Sequence, residues 1–318
     1  MKSASDKDLP AHVQLPEDSD EDKPQPTKRL MGLLFGFGAA TCYGLLICSV
    51  KWLYRISNIT VFEILYLRSF VAMVLVVIIL RTYGVSPFDI KRPVAWYLSV
   101  RCITGFFGFA AEFFAAKFTD LSKIVIILYN PFLTSLMSFL IIGERVTRHD
   151  LLSFLLGVIG IALLTDPFSN LKGLEDLVGC GLALLSAVIF NVGFIALRKV
   201  KRDLDSWQIV FYFTVTNMLL SPFSFMAEQV LDRTPTVYEF EGQSLAIVFL
   251  IGVLTVLGNF CVNKTLFYEK AGRATAYYNL ELLYTFLFDV LVSRSRFSVS
   301  ETSGVLLIVA ANLYMYLV

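Results

Sequence analysis

The sequence predicts an all-α membrane protein with ten transmembrane helices in two inverted five-helix repeats, and three observations carry that prediction. The 318-residue chain is 56% hydrophobic and 17% charged, with a mean hydropathy of +0.68, too apolar for a water-soluble domain. Ten hydrophobic stretches punctuate it, at residues 30–53, 61–80, 94–116, 122–143, 151–164, 177–197, 206–226, 245–267, 274–292 and 304–318. At about 1.5 Å rise per residue most of them span the roughly 30 Å of hydrocarbon. A Tyr-Asn pair, Tyr129-Asn130, recurs as Tyr278-Asn279 in the matching place of the second half. Each stretch is read as helix, because a single segment in lipid satisfies its backbone groups only that way.

Residues 1–29 precede the first stretch. They are rich in Asp, Glu, Lys, Pro and Ser, with an acidic run of Asp18, Asp20, Glu21 and Asp22, and are expected to form a disordered cytosolic tail. The tail lacks a basic region leading at once into a short apolar core, so it is no cleaved signal peptide, and the first helix serves as insertion signal. Asn58-Ile59-Thr60, in the loop after that helix, is a glycosylation sequon too near the membrane for modification to be favoured. The second stretch carries Arg68 away from an easy snorkelling end, where it meets an anionic ligand or a carboxylate on another helix. Glu63 lies about 140 degrees round the same helix and is a poor partner.

On the third stretch Arg101, Gly105, Gly108 and Glu112 fall within about 60 degrees of one another. The glycines admit either a substrate or a neighbouring helix, and helix packing is the preferred reading. Arg101 and Glu112 stand about three turns apart, too far to pair directly. On the fourth, Lys123, Asn130, Thr134 and Ser138 share a face, and Pro131 removes a backbone hydrogen bond, which predicts a kink beside Asn130. The fifth is short and nearly devoid of polar groups, suited to packing or to a homodimer face, with Gly157 and Gly160 allowing close contact. The sixth ends on the dense basic loop Arg198 to Arg202, and the seventh leads into a loop holding Glu228, Asp232, Glu239 and Glu241. On the eighth, Thr255, Asn259 and Asn263 align one turn apart with Lys264 adjacent. On the ninth, Thr275, Asn279, Leu282, Phe286 and Asp289 share a face; Glu281 lies off it, and Asp289 is near enough to the outer end to be solvated. The tenth, like the fifth, is short.

A single Asn or Thr in such a span reads as an interhelical hydrogen bond worth about 0.6 to 2 kcal/mol. Four helices with facing polar stripes read instead as the wall of a cavity. The candidate substrate-binding residues are Arg68, Arg101, Glu112, Tyr129, Asn130, Asn259, Asn263, Lys264, Tyr278 and Asn279.

Composition excludes other classes. The net charge of +1 and the lack of a basic stripe outside the spans leave no footprint for nucleic acid. Cys42, Cys48, Cys102, Cys180 and Cys261 all fall within spans, without a C-x-x-C or a nearby His, so neither a disulfide framework nor a metal site is expected. The two histidines, His12 and His149, lie in the tail and a loop, which leaves no buried base for Ser-His-Asp or Cys-His catalysis. Neither enzymatic activity nor a cofactor is expected.

Lys28, Arg29, Arg81, Lys91, Arg92, Arg145, Arg148, Arg198, Lys199, Lys201, Arg202, Lys270 and Arg273 flank one membrane face. Lys51, Arg55, Lys117, Lys123, Lys172, Arg233, Arg294 and Arg296 flank the other. Thirteen against eight places both termini in the cytosol, in the plasma membrane or an endomembrane. Laying residues 116–164 over 265–313 brings Phe118 onto Phe267 and Tyr129-Asn130 onto Tyr278-Asn279, and a two-residue insertion then brings Asp150 onto Glu301. Repeats at 30–165 and 173–318, each with an odd number of spans, must enter the membrane in opposite senses.

Ten spans in two halves, Arg68, the stretch from Ala115 to Pro131, and Glu144 closing the fourth helix ahead of Gly157 and Gly160 together resemble the EamA-type branch of the drug/metabolite transporter superfamily. The resemblance covers residues 30–318 and is similar in pattern to solute carrier 35 G-type proteins. Two departures stand in the second half: Ser293 and Arg294 occupy the place of a Glu matching Glu144, and Leu280 replaces Pro131. The ninth helix lacks the Lys-Thr doublet of nucleotide-sugar and phosphate-ester carriers, so that substrate class is not assigned.

The resemblance and the polar stripes together imply a secondary transporter for a small organic anion or zwitterion, working by alternating access. Arg68, Arg101 and Lys264 point to the anion, and Glu112 is the candidate carrier of a coupling proton. The competing reading is a non-transporting membrane adaptor or receptor acting through its tail. Deleting residues 1–28 separates the two, sparing transport under the first and abolishing function under the second.

Overall fold

The computed structural model describes residues 26–88, 90, 92–128, 131–142, 173–200, 203–232, 242–269, 274, 277–278, 280–294 and 298–300, with further positions inside 152–163 and 302–310. Every regular element among the described residues is helical. In chain order they are α1 (Pro26–Ile56), α2 (Val61–Tyr83), α3 (Arg92–Phe118), α4 (Leu121–Leu128), α5 (Pro131–Ile142), α6 (Gly173–Val200), α7 (Ser206–Asp232), α8 (Gly242–Tyr268) and α9 (Glu281–Leu291). Leu30–Ile56, Val61–Tyr83, Val94–Phe118, Leu174–Val200 and Gly242–Tyr268 are each long and apolar enough to cross a bilayer.

The polarity of these helices is that of a protein dissolved in lipid. On α2, Phe70, Val74 and Ile78 recur every fourth residue and stay 51%, 47% and 55% exposed, whereas Arg68, Ala72 and Val76 on the opposite face are at most 1% exposed. Water would drive that arrangement the other way, so the exposed apolar stripe is the lipid face. The ends of α2 are written locally. Thr60 caps the first turn in a reciprocal box with Glu63, worth about 1 kcal/mol, and Gly84 closes the last turn at φ 66, where its N–H reaches the Leu80 carbonyl. Glu63 is thereby occupied at its own helix start, as its poor angle to Arg68 predicted.

The boundaries depart from the sequence reading at identifiable residues. Helix α1 is described from Pro26, so residues 26–29, inside the stretch expected as tail, are helical. The fourth stretch is described as α4, up to Leu128, and α5, from Pro131, with residues 129–130 outside the described residues. The ninth is helical at 274, 277 and 278 and then as α9. The fifth and tenth are helical at those of their positions that are described.

The most extensive packing joins elements far apart in sequence. Helix α3 lies along α6, α1 along α8, and α2 along both α7 and α8. Smaller interfaces join α1 to α9, α3 to α7, and α4 to α6 and α9. Contacts of α1 with α3 and of α2 with α3 are slighter. The interior is therefore built between the halves of the chain.

Candidate functional site

Helix α3 supplies the centre. Arg101 and Glu112 are 3% and 4% exposed, so the stripe read from the sequence faces inward. Its glycines make room for rings. A Cβ on Gly105 would come within 2.3 Å of the Phe213 ring, and one on Gly108 within 2.8 Å of Phe190. The packing reading of the two glycines is the correct one.

Both intramembrane arginines are held in the same way. Asn259 donates from Nδ2 to the Thr255 carbonyl one turn back, at 2.9 Å, which turns its Oδ1 toward Arg101 Nη2 at 3.2 Å. Asn217 donates to the Phe213 carbonyl at 2.8 Å and accepts from Arg68 Nη2 at 3.3 Å. Aromatic faces complete the seats. The guanidinium carbon of Arg68 lies 4.3 Å from the centre of Phe109 and 5.1 Å from Phe113, and that of Arg101 lies 5.1 Å from Phe213. Each arginine keeps Nε and Nη1 without a hydrogen-bond partner among the described residues. A buried donor left unsatisfied costs about 1 to 3 kcal/mol, so the seats hold these groups without completing their shells. Glu112 bears electrostatically on Arg68, whereas the ionisable groups that bear on Arg101 are Tyr43, Cys102 and Tyr278, with no carboxylate among them.

Arg101 edges a central void of about 20 Å³, lined also by Tyr43, Phe109, Phe190, Phe194, Val262 and Tyr278. That volume admits a water-sized guest. Five rings form a continuous arc around it, with centroid separations of 5.7 Å from Tyr43 to Phe109, 5.0 Å to Phe190, 6.2 Å to Phe194 and 6.0 Å to Tyr278.

The candidate residues thus fall into three groups. Arg101 and Tyr278 reach the void, with Asn259 bonded to Arg101; Arg68 lies over the Phe109 ring, and neither it nor Glu112 lines this void. Asn263 turns to the other end of its helix, donating to the Ser206 carbonyl at 3.3 Å, and Lys264 places its ammonium 5.6 Å from the Phe260 ring, apart from Arg101. Tyr129, Asn130 and Asn279 lie outside the described residues, as does Thr275. Asn217 and the phenylalanine rings escaped the sequence reading. Asn217 had a signal: it follows Arg68 by 149 residues, the offset that relates Tyr129 to Tyr278. The rings had none, being ordinary apolar residues of a lipid-soluble helix.

A second polar cluster sits at the end of the bundle where α1 and α3 finish and α4 and α6 begin. Lys123 is fully buried and paired with Asp176 at 2.9 Å, and Thr119 also donates to Asp176. Asp289 is fully buried rather than solvated: it accepts from the Leu121 N–H at 3.3 Å and from the N–H and hydroxyl of Ser122 at 2.8 Å each, capping α4 from α9. Arg55 donates to the Val292 carbonyl at 2.7 Å and Lys51 to that of Thr119. Lys123, expected on the cavity stripe, belongs to this clamp, because a carboxylate on α6 is within reach of its flexible stem.

Comparison with known proteins places this arrangement. The model of the EamA-like transporter family matches residues 30–166 and again 177–317. The pseudopaline exporter CntI of Pseudomonas aeruginosa strain UCBPP-PA14 is 26% identical over 211 residues, covering 66% of this chain and 69% of that protein. Solute carrier family 35 member G1 of Homo sapiens is 23% identical over 268 residues, 81% of this chain and 72% of its own. A solved crystal structure shares the fold with a TM-score of 0.66 at 20% identity, covering 90% of this chain and 96% of that one. An all-helical, lipid-facing chain that matches one transporter model twice along its length is an integral multi-pass membrane transporter and belongs to the EamA-like transporter family.

Proposed function

We propose that the protein carries a small organic anion or zwitterion across its membrane by alternating access, the two inverted repeats 30–165 and 173–318 rocking about the void beside Arg101. The observation that carries this reading is a buried guanidinium at the edge of a central void, two of its nitrogens, Nε and Nη1, without a partner among the described residues. Volume decides against an open pore: about 20 Å³ is far below the 300 Å³ or more of a typical small-molecule site, so passage requires the bundle to open. The helix pairing supports the repeat. Exchanging α1 with α6, α2 with α7, α3 with α8 and α5 with α9 turns the α3–α6 interface into α8–α1, α2–α8 into α7–α3, and α5–α6 into α9–α1. The Arg68–Asn217 bond then joins equivalent positions on the pseudo-axis.

In this reading ten spans cross the bilayer with both termini cytosolic, and the clamp around Asp176 and Asp289 is the closed outer gate. Glu112, behind the site and within reach of Arg68, carries the coupling proton. A second copy of the chain packs on the polar-poor fifth helix. The test is counterflow in proteoliposomes with solutes drawn from a metabolite screen read by thermal stabilisation. At least one organic anion should exchange in the wild type with a pH-dependent rate that Glu112→Gln flattens. An unchanged profile removes the coupling, and no exchange of any stabilising solute removes the carrier.

A further inference from the structure

Resting on that carrier reading, we infer that the solute is a monocarboxylate with a flat, apolar body and no ammonium group, its carboxylate on Arg101 and its body within the arc of rings. Charge comes first. Of the buried Arg68, Arg101 and Glu112, only Arg101 lines the void; Glu112 bears on Arg68, and among the described residues no carboxylate pairs with Arg101. Isolated buried charge is strongly unfavourable, and a single ligand carboxylate cancels it where a dianion would overshoot. The donors agree. Asn259 takes one N–H of Nη2; the other, with the unpartnered Nε or Nη1 beside it, makes the parallel pair that a carboxylate accepts best.

The remaining wall decides between anion and zwitterion. A ligand ammonium needs a carboxylate, a set of carbonyls or a free aromatic face. None of the residues lining the void is acidic. Phe109, the ring shared with Arg68, already has a guanidinium 4.3 Å from its centre, so its quadrupole is engaged. Both local cations repel a third. What the wall does offer is Phe109, Phe190, Phe194 and Val262, with the phenol groups of Tyr43 and Tyr278 beside Arg101, which suits a flat hydrocarbon face.

Purified full-length protein is tested for thermal stabilisation and, in proteoliposomes, for counterflow, with phenylacetate, acetate, phenylalanine, phenethylamine and succinate. Phenylacetate should stabilise and exchange, and each of the others should bind at least about tenfold more weakly. Arg101→Lys should weaken phenylacetate about tenfold by losing the planar fork. Phe194→Leu should weaken phenylacetate and leave acetate as it was. Phenylalanine or phenethylamine binding as well as phenylacetate overturns the inference, and so does exchange of some other class of solute by protein that ignores phenylacetate. Binding of phenylacetate without exchange of any solute upholds the site chemistry and overturns the carrier reading instead. Wild-type ligand ranking decides the matter even if a variant fails to fold.

Discussion

Arg101 illustrates how a costly residue is kept in lipid. Its charge is desolvated, one nitrogen is held by an asparagine whose own amide is pinned to the preceding turn, and Nε and Nη1 have no partner among the described residues. The same device holds Arg68, with phenylalanine faces supplying the rest of the shell. If Arg101 serves to bind an anion, giving it a permanent carboxylate should help the fold and harm transport. Asn259→Asp places a carboxylate at the 3.2 Å contact. The melting temperature should hold or rise, while anion exchange falls by about tenfold or more. A variant that melts lower yet transports normally contradicts that account. The two arginines and Glu112 were legible in the sequence because ionisable residues in apolar runs stand out. The rings that surround them were not, since a phenylalanine facing a void and one facing acyl chains look the same in a string.

At the level of elements, helix ends explain the clamp. The first N–H groups of α4 have no intrahelical partner, and Asp289 reaches across from α9 to accept from them. The buried Lys123–Asp176 pair ties the same short helix to α6. Removing one member of a buried pair costs about 3 to 5 kcal/mol, and Asp176 retains 14% exposure, which favours the lower figure. Lys123→Met should therefore lower stability by about 3 kcal/mol in chemical denaturation. The exchanged double variant, Lys123→Asp with Asp176→Lys, should recover more than half of it, and no recovery would mean that the pair contributes packing alone. The sequence placed Lys123 on a helical face correctly, but a face is defined only relative to a neighbour, and the neighbour was unknown.

For the whole molecule, the decisive feature is that, among the described residues, interfaces between the halves exceed those within them. Two half-bundles that share their interior can rock only if one end opens as the other closes. Locking the clamp should halt that cycle. In a background with Cys42, Cys48, Cys102, Cys180 and Cys261 replaced, Thr119→Cys with Asp176→Cys puts two thiols where hydroxyl and carboxylate now meet. Oxidation should stop exchange and reductant restore it, whereas full exchange by the cross-linked protein would exclude rocking at that end. The sequence by itself determined that this chain is helical and lives in lipid, and which family it resembles. Those properties follow from composition and period, which are local. Tertiary structure alone decided which polar groups are answered and which face the void, because bonding Asp289 to Ser122 and setting Arg101 at a void depends on residues more than a hundred positions apart.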